Sequence, residues 1–328
     1  MSSITRRQFA KVAGAGLGGA ALAASGLVGP ALAADTLNFQ SVWLNDPEFL
    51  GYMIAIDNGF YAAEGLSVNY MPGGPNVIPE GALLSAKADI ALTNILTTAK
   101  AVVEKGASLV IIGTQYQKSP AGVISLASAN IKGPKDLIGK TVACPPLSRN
   151  VFDAMLKIAD ISADKIRVVP YTFDPTPLID GNVDAVVDFV TQIPFLVEQK
   201  SGKKASYFLF WDVGLPLYVD LVVVTKDTLK AKRAQLVKFL RASRKGWDEN
   251  FADPKKYPAL YESTWFKGLG SSPEAELYFN ETQRGLMETP KGIFYMSDDG
   301  IDRNIEALAR FGVTVKRDLF DTSLFSDI

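Results

Sequence analysis

The stretch "SVWLNDPEF", residues 41–49, sets an indole just ahead of two carboxylates. Trp43 can stack on a flat ring or wall off an apolar group, and Asp46 and Glu48 can accept hydrogen bonds from ring or amino N–H groups. A core tryptophan followed by an ordinary Asp-Pro turn explains the same residues equally well. Further polar groups recur at intervals: Thr93-Asn94, Tyr116-Gln117, then Tyr171, Phe173 and Asp174, then Asp188 with Thr191-Gln192. Ser148-Arg149-Asn150 opens a helical pattern, where free backbone amides and a guanidinium make a ready anion site. An N-cap serine beside a solvated arginine is the plainer account of that triplet.

Other chemistry is excluded by what is missing. The chain has no histidine and one cysteine, Cys144, so it lacks the usual zinc and non-haem iron ligands and the commonest general base. "SDDGIDRN" lacks the alternating acids and terminal glutamate of a calcium loop and reads as a helix start. The glycine pair in "PGGPNVIPEG", with Asn76 close behind, has neither the Lys-Ser/Thr ending of a phosphate loop nor the dinucleotide spacing. It reads as a turn at the rim of a cleft, with Asn76 at its edge.

The elements that must position these groups alternate short apolar strands with helical patterns, the signature of an α/β protein. Strands are expected at "TLNFQSVW", ending on Trp43, and at "LSVNYM", "ADIALT", "SLVIIGT", "AGVISLAS", "TVACPP", "KIRVVPY", "VDAVVDFV", "ASYFLFW" and "YVDLVVVT". Met53, Ile56 and Phe60 mark one helical face, closed by Gly65. Ser148 is placed to cap a helix, and from Lys226 onward the chain is mostly helical. In open α/β sheets, ligands bind beyond the carboxyl ends of strands, so the polar clusters at those ends are candidates to share one site.

The first residues carry Arg6-Arg7, an Ala/Gly-rich apolar stretch and the small-x-small box Ala31-Leu32-Ala33, the order of a twin-arginine export signal cleaved near Ala33. The expected product is a periplasmic chain with no internal disulfide and a mildly acidic balance that gives no reason for a nucleic-acid partner.

The segments "WLNDPEFLGYMIAIDNGFYAAEGLSVNYMPGGPNV", "ADIALTN", "GTQYQKSPAGVISL", "DLIGKTVA", "GNVDAVVDF" and "RASRKGW" together resemble the periplasmic solute-binding proteins of ABC importers. They are similar to the branch related to thiamine-pyrimidine synthase and to binders of alkanesulfonate, taurine, thiamine-precursor pyrimidine and riboflavin. The resemblance implies a type II periplasmic binding fold. Residues 34–120 and 220–328 would form lobe 1 and residues 121–219 lobe 2, after a signal at 1–33, with crossovers near Ser119–Gly122 and Pro216–Asp220. It further implies a monomer without cofactor that closes on a small ligand and delivers it to an inner-membrane ABC permease. Its enzymatic relative uses histidine and a cysteine-rich iron segment, neither of which exists here, so no catalysis is expected. Thr93 and Asn94 fall where the family contacts ligand, whereas Gln192-Ile193-Pro194 stands where pyrimidine binders show Asn-Glu-Pro. The expected ligand is an aromatic nitrogen heterocycle, with a sulfonate or other small organic anion at Ser148 and Arg149 as the alternative. A periplasmic ligand-sensing subunit is the alternative outside transport.

Overall fold

The computed structural model describes residues 35–328. The export signal expected over residues 1–33 lies outside the described residues. Ten strands appear, each within or against a stretch expected from the sequence: β1 (Asp35–Gln40), β2 (Leu66–Met71), β3 (Ile90–Thr93), β4 (Leu109–Tyr116), β5 (Ala121–Leu126), β6 (Thr141–Cys144), β7 (Arg167–Pro170), β8 (Ala185–Phe189), β9 (Ala205–Leu209) and β10 (Val219–Thr225). They form two five-stranded sheets, in the orders β2-β1-β3-β10-β4 and β7-β6-β8-β5-β9. Half of the eight strand pairs are parallel; the other half arise because β10 runs antiparallel to both its neighbours, and so does β5. The chain passes between the sheets twice, from Tyr116 to Ala121 and from Leu209 to Val219.

Each sheet is apolar on both faces because helices cover both. In β10 the period-two alternation of a strand sends Val222 and Val224 to one core, with Phe39, Phe239 and Trp247, and Leu221 and Val223 to another, with Ile301 and Leu308. The second sheet is packed likewise, against Phe152 and Met155 on one face and Ile193 and Val197 on the other. Fully buried side chains of this size stabilise by about 1.5–3 kcal/mol each, and Trp247 and Phe239 are fully buried.

Two local expectations need correction. The helix expected through Met53, Ile56 and Phe60 is broken: Leu50–Asp57 ends, Gly59 takes a left-handed φ of 69°, and a new turn runs Phe60–Ala63. Strand β1 stops at Gln40, short of Trp43. Beyond it, the chain leaves regular pairing and is held by irregular bonds from the Gly73 amide to the Trp43 carbonyl (2.8 Å) and from the Ser41 amide to Met71 (2.9 Å).

Candidate functional site

Because β10 and β5 are antiparallel, the amino end of each lies beside the carboxyl ends of its neighbours. Val219 pairs with Tyr116, and Ala121 with Phe189. Each sheet thus has one edge where polar strand ends collect, and the two edges meet at an aromatic contact. Trp43, beyond β1, and Phe173, beyond β7, pack edge to face with centroids 5.7 Å apart, and Phe173 also packs on Tyr171 at 5.8 Å. Phe173 holds a left-handed φ of 64°, a conformation that costs a non-glycine residue roughly 1–2 kcal/mol and is typical of functional loops.

Trp43 is placed by the glycine pair. Gly73 lies so close to Val42 and Trp43 that a Cβ would collide with their backbone, and the Gly74 amide also bonds the Val42 carbonyl at 3.4 Å. The pair is therefore a turn that clamps the segment presenting the indole.

Behind Trp43 lies a group of acids. Asp46 caps the turn Pro47–Phe49 by accepting the Glu48 amide at 2.9 Å. That turn is gripped at both carbonyls: Gln283 Nε2 donates to Pro47 O (2.8 Å) and Gln115 Nε2 to Glu48 O (2.6 Å). Gln115 Nε2 also donates to Asp220 Oδ2 at 2.9 Å, and the Glu48 carboxyl lies close enough to Asp220 for the two to repel. Asp220, at the start of β10, has a left-handed φ of 53°. Glu276, on the helix Pro273–Met287, faces Asp46.

Among the described residues none of Asp46, Glu48, Asp220 and Glu276 forms an ion pair with lysine or arginine. Burial, reinforced by their mutual repulsion, pushes Asp46 and Glu48 well above the usual carboxylate range. Burial raises Asp220 to about 6 and Glu276 to about 7. In the second sheet, burial raises Asp188 to about 7, and the Tyr171 hydroxyl faces its carboxyl without reaching hydrogen-bond geometry.

Buried polar atoms normally find partners, so those that do not are informative. Gln115 Oε1, Glu276 Oε2 and Ser271 Oγ on one side, and Tyr171 OH, Asp188 Oδ2 and Thr191 Oγ1 on the other, are buried without one. Most of them gather near the strand ends that meet at Trp43 and Phe173.

Of the residues singled out from sequence, Trp43, Asp46, Glu48, Tyr171, Phe173, Asp188 and Thr191 belong to this constellation. Others are occupied by the scaffold. Thr93 Oγ1 bonds Thr98 at 2.7 Å, Asn94 caps the helix Ile95–Lys105, the Tyr116 hydroxyl donates to Gln283 at 2.8 Å, and Gln117 Nε2 donates to the Tyr295 carbonyl at 2.7 Å. Asn76 is exposed and Gln192 half-buried at a helix start.

Ser148 makes no capping bond: Pro145-Pro146 start a tight turn that leaves it with helical φ and ψ, from which its side chain cannot reach the free amides. Arg149 Nε is bound by Asp153 at 2.8 Å. Asn150 lines a groove of about 360 Å³ with Lys100, Lys157 and Arg310. Asp220, Glu276 and Ser271 went unsuspected; a lone aspartate inside "YVDLVVV" was the one available signal.

Residues 46–257 match the family described as NMT1/THI5 like. The chain belongs to that NMT1/THI5-like family. It is 25% identical over 232 residues to the formylaminopyrimidine-binding protein of Halalkalibacterium halodurans, covering 67% of this chain and 68% of that one. It is 24% identical over 212 residues to the 4-amino-5-hydroxymethyl-2-methylpyrimidine phosphate synthase of Legionella pneumophila, covering 62% and 66%. Among solved structures, the periplasmic aliphatic sulphonate binding protein SsuA of Escherichia coli superposes with a TM-score of 0.68 at 16% identity, over 87% of this chain and 96% of that one. This member of the NMT1/THI5-like family has the periplasmic binding protein fold, in the type II form with two α/β halves.

Proposed function

We propose that the chain is the ligand-capturing component of an ABC importer, exported to the periplasm by the signal at residues 1–33. Two lobes, residues 34–120 with 220–328 and residues 121–219, close as a monomer on a planar nitrogen heterocycle. The observation that carries this reading is the Trp43–Phe173 contact set beside buried acceptors that lack donors. Aromatic faces suit a ring, and acceptors without donors suit N–H groups on its edge. The pyrimidine-binding relative supports the same ligand class.

An anion fits less well, since Arg149 is engaged by Asp153. Binding rather than catalysis agrees with the residue inventory: no histidine, and a buried Cys144 whose thiol is pushed up to about 12 by burial.

The experiment is mass spectrometry of small molecules released on denaturing the protein purified from its own periplasm, with thermal shifts for pyrimidines, flavins and sulfonates. A nitrogen heterocycle that co-purifies and raises the melting temperature supports the reading. A sulfonate that does so overturns it.

A further inference from the structure

We propose that a groove between the helix Arg233–Ala252, residues 291–295 and residues 325–328 is a second ligand site, which takes a small carboxylate with an apolar body. The groove shares no residue with the Trp43–Phe173 contact, so the inference stands apart from the ring-binding reading. Its volume is about 420 Å³, within the range of small-molecule sites. Arg244 and Lys291 line it together with the apolar side chains of Ile293, Phe325 and Ile328, and no acidic side chain does.

Two observations carry it. The first is a guanidinium left without an acceptor. One turn earlier on the same helix, Arg241 is held by the Glu64 carboxylate at 3.1 Å and the Asp327 carbonyl at 2.6 Å. Among the described residues Arg244 has no such partner, and Asp248 on the next turn lies beyond ion-pair distance of it. Arg244 is half-buried and its guanidinium rests on Gly292, where an added Cβ would collide with it. A planar fork held against the backbone with its donors unused matches a carboxylate, which accepts two parallel N–H bonds.

The second is the apolar surface beside the charge. Lys291 Nζ donates to the Tyr295 hydroxyl at 3.0 Å, and the Tyr295 ring packs on Phe325 with centroids 5.6 Å apart. Tyr295 and Phe325 both line the groove, as does Ser326, whose hydroxyl is a further donor. An inorganic ion would use the cations and leave this apolar wall in water. A ligand charged at one end and apolar at the other covers both, gaining about 25 cal/mol for each Å² of apolar surface it buries.

The test is isothermal titration of the purified protein with benzoate, benzamide and inorganic phosphate, repeated on Arg244→Gln, Lys291→Gln and Trp43→Ala. The expected result is that benzoate binds with a Kd of about 1 mM or tighter, and benzamide and phosphate each at least about tenfold more weakly. Arg244→Gln weakens benzoate by about tenfold or more, and Lys291→Gln by about two- to fivefold. Trp43→Ala leaves benzoate binding unchanged, because the cleft takes no part in it. Lys291 is exposed, so the Lys291→Gln protein decides the matter if Arg244→Gln does not fold. Benzoate binding that survives both groove substitutions and falls in Trp43→Ala places the carboxylate in the cleft and overturns the second site. Equal binding of phosphate and benzoate, or no binding of benzoate, overturns it as well.

Discussion

Trp43 and Phe173 meet edge to face, their ring planes at 61°, and they come from different sheets. Neither ring belongs to a hydrophobic core in the way Trp247 does, since Trp43 is half-buried and Phe173 exposed. Trp43→Ala is therefore expected to weaken ligand binding by more than about tenfold while moving the melting temperature by no more than a few degrees. Phe173→Gly separates the two roles further. It removes the ring but relieves the left-handed backbone, so binding falls while stability holds or rises by up to about 1 kcal/mol. Titration calorimetry and urea unfolding read the two effects.

Gly73→Ala is expected to act at a distance. The added methyl meets the backbone of Val42 and Trp43, so the segment carrying the indole must move, at about 1–3 kcal/mol. Affinity and stability fall together, unlike in Trp43→Ala. A Gly73→Ala protein with unchanged urea midpoint and unchanged affinity would show that the clamp does not matter.

The strands were legible because short apolar runs bounded by turn residues leave few alternatives, and the two-faced burial of β10 follows from its unbroken valines. The aromatic half of the site was legible as well, since Trp43 and Phe173 stand out by type and lie beyond strand ends. The acidic half was not. Asp220 reaches Glu48 only because β10 is inserted between β3 and β4, a pairing over long sequence separation that no local pattern encodes. Ser148 misled because two prolines upstream outweigh its capping preference.

A buried amide ladder fixes the Asp46–Glu48 turn from behind. Asn250 and Asn280 exchange bonds at 2.7 and 2.9 Å, Gln283 bonds Asn280 and the Pro47 carbonyl, and Tyr116 donates to Gln283. Gln283→Leu strands the Tyr116 hydroxyl and the Pro47 carbonyl. The expected loss is about 1–3 kcal/mol per stranded group, measured by urea unfolding, together with weaker ligand binding as the turn loosens.

The pH dependence of the unliganded protein has a definite sign. The Asp188 carboxyl is raised from 3.8 to about 7 in the fold by burial. The folded state therefore binds more protons than the unfolded chain between about pH 4 and about pH 7, and stability falls as pH rises through that window. Asp188→Asn should make this slope shallower by up to about one proton. Urea midpoints across the range provide the check; a slope identical to wild type would show that Asp188 ionises normally.

Away from the candidate site, Phe195 on the helix Ile193–Ser201 packs against Tyr278 on the helix Pro273–Met287, centroids 5.3 Å apart, with Gln199 bonding Ser272 at 3.4 Å. If the lobes open without ligand, this pair exists only when they are closed. Phe195→Ala then lowers apparent ligand affinity by about two- to tenfold, the worth of one aromatic pair, and shifts small-angle scattering toward a larger radius. Unchanged affinity and scattering would mean that the contact persists in both states.

The position of β10 also bears on biogenesis. It is the middle strand of its sheet's second half, yet it is made after every strand of the other sheet. A chain emerging from the ribosome holds β3 and β4 with an open slot between them until residue 225 has appeared, while β5 to β9 can already assemble. Unpaired strand edges invite association with other chains. The vulnerable species is thus a half-made polypeptide, and its lifetime depends on how quickly residues 117–225, the middle third of the chain, are translated.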